Sequence, residues 1–298
     1  RFEDPRVGYF ATQQTDMTSA DDPTPYRDMI HRWHLEKKDT SQSKSAVKEP
    51  IVWWIENTTP HEFRDAIKEG VLAWNKAFEK AGLINAVDVK VQPDDAEWDA
   101  GDIRYNVLRW TSSPRPPFGG YGPSFVNPRT GQILGADIML EYVYFTNRVK
   151  YEKIFDTFAS DEMQCLAGNH IQQGNMFGLM VMGDVSNYSN LEQHRIIYES
   201  LVKLTLHEVG HTLGLSHNFY SSKLHSFKNI HQRHITEPVG LTSSVMDYVS
   251  ANVGINSKNH GQFYTTTPGP YDIWAIEFGY TPEHLNPEDE KNRVSNLL

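Results

Sequence analysis

Hydrophobic positions recur at helical spacing in two long stretches of the chain. Phe63, Ile67, Gly70, Trp74, Ala77, Phe78 and Ala81 fall on one stripe, as in a helix that packs one face on a core. Thr59 as N-cap, Pro60 in the first helical position and Glu62 three residues past the cap would open this helix, and Gly82 would end it. The second stretch, "RIIYESLVKLTLHEVGHTLGL", predicts a long apolar helix. Strand-like runs lie around and between them: "IVWWIENTT" (51–59), "VDVKVQ" (87–92), "DIRYNVLRWT" (102–111), "YGPSFV" (121–126) and "QILGADIMLE" (132–141), the last two joined by the turn-like "NPRTG". Residues 142 to about 193 read as mainly helical, residues after 218 as loop-rich, and "PYDIWAIEFGY" (270–280) as a final helix. The order is strand, helix, four strands, insertion, long helix, irregular segment, final helix, which is an α+β pattern.

The first 48 residues differ from the rest. They hold two extended or mixed segments and the polar run "KKDTSQSKSAVKEP", so residues 1–49 read as a connector and the compact domain is expected at 50–298. The chain opens in a strand-like stretch, "RFEDPRVGYF", without signal-peptide character, and is expected to continue an upstream domain. A chain of 298 residues that is 39% hydrophobic and 12% aromatic can bury a substantial core. Its formal charge of −10 and the lack of a Lys/Arg cluster argue against a nucleic-acid partner. No apolar run reaches the roughly 18 residues of a membrane span. Cys165 is the single cysteine, which excludes an internal disulfide.

The long helix carries "HEVGHTLGLSHN", residues 207–218. His207 and His211 are one turn apart and project from one face, so two imidazoles can grip one metal ion. Glu208 points about 100° further round, where it reaches a water on that metal without ligating. Gly214 lets the chain turn back, which makes His217 available as a third ligand. Three neutral nitrogens suit zinc and leave a fourth position for water, as a catalytic site requires. HExxHxxGxxH arises by chance in roughly one such chain in 10⁵, so the pattern is read as chemistry rather than helix surface.

HExxHxxGxxH followed some tens of residues later by a Met-containing turn resembles the metzincin clan of zinc endopeptidases. Met246 in "SVMDY" matches the clan's Met-turn, an apolar floor under the metal, and Tyr248 matches a tyrosine that approaches the metal in some branches. "RVGYF", "RWHLEKKD", "PIVWWIENTTP", "AWNKAFEKAG", "NPRTGQILGADI" and "GPYDIWAIEFGY" further resemble a family of large bacterial zinc-dependent metalloproteases whose catalytic domain follows N-terminal domains of unknown function. The resemblance implies a twisted, mixed five-stranded sheet with a backing helix and an active-site helix over residues 50–214. An irregular subdomain with the Met-turn and a final helix would follow over 215–298. It also implies a secreted, periplasmic or cell-surface setting.

On this reading zinc is held by His207, His211 and His217, Glu208 is the general base, and Tyr248 donates to the oxyanion. By resemblance, a peptide or protein substrate would lie along the edge strand "YGPSFV", through Tyr121, Gly122, Ser124 and Phe125; a plain solvent-exposed edge blunted by Pro123 is the alternative. Two other functions stay open: a catalytically silent binding module, and a zinc amidase acting on a non-protein amide. Cys165 reads as a buried small hydrophobe, the sharper alternative being a thiolate that blocks the zinc as in latent metalloproteases. His225, His231 and His234 fit no single helical face and read as loop residues. Asp94, Asp95, Glu97, Asp99 and Asp102 offer oxygens for a structural calcium but lack the EF-hand spacing, so a solvated loop is the plainer reading.

Overall fold

Ile51–Ile55 forms the strand on which the sheet is built: Ile51, Trp53 and Ile55 are buried, while Val52 and Trp54 between them are half-buried. This alternation sends one face of the strand into the core. A computed structural model describes residues 1–18, 20–114, 120–145, 165–184, 190–254 and 260–298. Within it, five strands pair in the order Val87–Val91, Ile51–Ile55, Asn106–Thr111, Ile138–Glu141, Gly120–Tyr121. The first four run parallel and Gly120–Tyr121 pairs antiparallel at the edge. The sheet is therefore mixed, as expected.

The first crossover is helical, as parallel neighbours require. The stripe between Phe63 and Ala81 divides into α1 (His61–Leu72) and α2 (Asn75–Lys80) instead of one helix. At the division Trp74 N bonds to Val71 O, and the buried Trp74 indole donates to Leu206 O of the long helix at 3.1 Å. Thr59 is not the cap: Pro60 holds that position and no side chain caps α1. Gly82 does turn the chain, at φ +84°.

Two strand expectations are corrected. "YGPSFV" is not one strand. Gly120–Tyr121 ends in the five-stranded sheet, whereas Ser124–Val126 pairs with Ile133–Ala136 in a separate hairpin. Pro123, which lies between them, has no N–H to continue a ladder. "QILGADIMLE" likewise divides at Asp137, whose carboxylate accepts Val107 N while its own N–H goes to Pro123 O.

Of the 142–193 stretch, Tyr142–Phe145 is a 3₁₀ turn and α3 spans Ala167–Asp184. Residues 146–164 and 185–189 of it lie outside the described residues. The long helix, α4, spans Asn190–Thr212, and every residue from Leu201 to Thr212 is buried. It packs on α1 through Gly70, where a Cβ would stand 2.7 Å from Thr205 Cβ. The loop-rich stretch holds a short helix, α5 (Arg233–Val239). The expected α6 (Pro270–Tyr280) is present, and a further helix, α7 (Pro287–Leu297), follows it. Val7, Tyr9, Ile30 and Val47 from the first 48 residues join the same core as α4. Among the described residues no helix is long and apolar enough to cross a membrane.

Candidate metal centre

His207 and His211 sit on the buried half of α4, and each has one ring nitrogen committed. His207 Nδ1 faces Val245 O at 2.8 Å and His211 Nδ1 faces Leu215 O at 2.9 Å. Carbonyls accept only, so both rings carry Nδ1–H and keep the Nε2 lone pair free for a metal. Gly214 then reverses the chain at φ +96°, where a Cβ would stand 2.0 Å from His31 O. The turn brings His217 back, with its Nε2 3.1 Å from His211 Nε2. Cys165 Sγ lies 3.4 Å from His207 Nε2. The four ligand atoms of Cys165, His207, His211 and His217 fall within 4.8 Å of one another.

The turn that carries Met246 packs against the same helix. Met246 is fully buried, and a Cβ on Gly210 would stand 2.4 Å from its sulfur, so the glycine inside HEVGH lets the thioether touch the helix backbone. Asp272 of α6 accepts Ser244 Oγ, Val245 N and Gly269 N, which fixes the turn from the far side. Lys203 fixes it from α4 by donating to Val245 O and Asp247 O. The Tyr248 hydroxyl emerges 2.7 Å from His217 Nε2 and accepts Leu166 N at 3.1 Å.

Electrostatics follow from burial. Desolvation holds His207 well below its ordinary value, His211 down at about 3 and His217 at about 4; neighbouring histidines add to it for the first two, and Lys203 for all three. All three are thus neutral, as metal ligation needs. Burial pushes Glu208 up to about 8, and its Oε2 has no hydrogen-bond partner among the described residues. A dication beside it would draw that carboxyl back toward ionisation. Burial, then Glu208, raises the Cys165 thiol.

The edge strand meets the carboxylate. A Cβ on Gly120 would stand 2.1 Å from Glu208 Oε1, and one on Gly122 3.0 Å from Glu208 O. Tyr121 is exposed at the same edge. Ser124 and Phe125 instead belong to the second hairpin. Sequence reasoning missed Gly120, although a glycine-rich run around Tyr121 was there to be read. It also missed Lys203, Phe10, whose ring centre is 5.7 Å from that of His211, and His170, stacked on Tyr248 at 5.3 Å. None of these has a motif to announce it.

The weaker clusters do not converge. Among the described residues no other group of three or more His, Cys, Asp or Glu gathers its ligand atoms, so Asp94, Asp95, Glu97, Asp99 and Asp102 form no such group. His225 bonds Gly240 O at 2.8 Å, and the His231 ring lies 5.8 Å from that of His260.

Comparison with known proteins agrees with the motif. Residues 189–298 match the family described as Met-zincin, and residues 1–38 match a domain of unknown function, DUF5117. The first match supports a metzincin-clan family and a fold like that of zinc metallopeptidases; the second fits an N-terminal domain of unknown function. No curated protein matches the chain. A solved structure described as the GM1 bound form of the ECX AB5 holotoxin shares 14% identity over 76% of this chain and 80% of that one. Its TM-score of 0.33 is too low to bear on the fold.

Proposed function

We propose that this chain is a zinc-dependent endopeptidase. The observation that carries the reading is the gathering of His207, His211 and His217 with Cys165, ligand atoms within 4.8 Å of one another, next to the buried Glu208, whose Oε1 is 3.4 Å from Cys165 Sγ and whose Oε2 has no partner among the described residues. The donor set fits zinc: His207, His211 and His217 would hold the ion, which when bound lowers the pKa of water and polarises the scissile carbonyl.

The chain's own residues supply the rest. Glu208 takes the proton of the attacking water and returns it to the leaving nitrogen. Tyr248 donates its hydroxyl to the oxyanion. The substrate backbone extends the sheet beyond Gly120–Tyr121, the edge strand whose Gly120, with Gly122 just past its end, lies against Glu208. A cavity of about 460 Å³ includes Tyr248 in its lining, with Phe227, Ile230, Leu241 and Val253 beside polar His231 and Asn252, and would take a substrate side chain.

The test is incubation of the zinc-loaded chain with a diverse peptide mixture, with and without chelator, followed by sequencing of the products. New peptide termini that chelator abolishes are expected. Their absence over both the zinc-loaded chain and its zinc-loaded Cys165→Ala variant would sink the proposal.

A further inference from the structure

Cys165 faces three groups of the candidate site. Its Sγ is 3.4 Å from His207 Nε2, 3.4 Å from Glu208 Oε1 and 3.5 Å from the Tyr248 hydroxyl, and it is buried. An ideal tetrahedron with Zn–S of about 2.3 Å and Zn–N of about 2.05 Å has an S···N edge of about 3.6 Å and an N···N edge of about 3.4 Å. The observed Sγ···Nε2 and His211–His217 Nε2···Nε2 separations, 3.4 and 3.1 Å, are close to those edges.

The sulfur is also held from behind. The next residue, Leu166, donates its N–H to Tyr248, and α3 begins one residue later. That helix packs tightly: Cβ atoms at Gly174 and Gly178 would stand 2.5 Å from Tyr264 Oη and from Ile196 Cδ1, and Asn175 bonds Ser200 of α4. Glu208, itself fully buried, faces the sulfur through Oε1 and leaves Oε2 without a partner among the described residues.

We propose that Cys165 is a fourth metal ligand, which closes the site to water until the thiolate leaves. This rests on the zinc reading of the histidines. On ligation the S–H proton passes to solvent and the sulfur lone pair forms the metal bond; on opening, a water takes that position and the thiol is reprotonated.

Cobalt(II) loaded into the full chain reports the ligand directly. A thiolate-to-cobalt charge-transfer band in the near ultraviolet is expected. Cys165→Ala should lose the band while keeping the visible bands of histidine-bound cobalt. Zinc should slow alkylation of Cys165 by iodoacetamide at least about tenfold, and zinc-loaded Cys165→Ala should cleave the peptide mixture about tenfold faster or more than the native chain. Loaded native protein with reduced Cys165 and no charge-transfer band overturns the proposal, as does a band that survives Cys165→Ala. Equal, measurable turnover of the two proteins overturns the closing role. A band and alkylation protection without turnover in either protein would uphold the ligation and count against the peptidase reading.

Discussion

Lys203 and His207, one turn apart on α4, share a single acceptor: both donate to the carbonyl of Val245, the residue before Met246. The helix that carries the histidines thereby grips the Met-turn at the bond that sets the His207 tautomer. Lys203→Met removes one donor from Val245 O and the donor to Asp247 O. A loss of about 1–3 kcal/mol is expected. Urea unfolding of the metal-free protein measures it, and unchanged stability would show the contact to be without energetic weight.

Removal of one imidazole should empty the site. His207→Ala is expected to weaken zinc by more than the roughly 10- to 100-fold typical of losing an outer-shell partner. Metal analysis after dialysis checks this; a full complement of zinc in the variant would refute the ligand set.

Glu208→Gln separates proton transfer from metal binding. The ligands and the fold remain, so zinc content should hold, while turnover falls by about 10²- to 10⁴-fold, the contribution of a general base. Undiminished hydrolysis of the peptide mixture would exclude Glu208 from that role.

Tyr248→Phe addresses the oxyanion. An interaction made in the transition state lowers kcat and leaves KM near its original value, here by roughly ten- to a thousandfold. Zinc affinity should change much less, since three imidazoles stay in place. A tyrosine that only packs would show lower thermal stability with kcat intact, so kinetics on folded, zinc-loaded protein decide between the two.

Glu199 predicts a pH dependence of stability. Burial raises it from 4.5 to about 7, against the opposing pull of the Phe263 and Tyr264 amides and Arg195. Between those values the folded chain holds a proton that the unfolded chain releases, so stability is fullest below pH 4.5 and is lost as pH rises through 7. The contribution is on the order of 3 kcal/mol. Glu199→Gln keeps an acceptor for both amides and should flatten that slope in denaturant titrations across the range; an unaltered slope would assign it to other groups.

The sequence alone determined what depends on local spacing. His207, His211, Glu208, Gly214 and His217 stand at offsets that a helix and a glycine turn convert directly into one converging face, and α4 and α6 formed where their patterns predicted. Tertiary structure decided what depends on neighbours distant along the chain. The stripe from Phe63 to Ala81 divided where Trp74 reached Leu206 O. "YGPSFV" split because Pro123 cannot continue a ladder and Asp137 redirects the partner strand. Cys165, 42 residues before His207, entered the histidine cluster only because α3 packs on α4. A residue's spacing to its own helix is written in the chain, whereas the group that meets it from another element is set by packing, which no local pattern encodes.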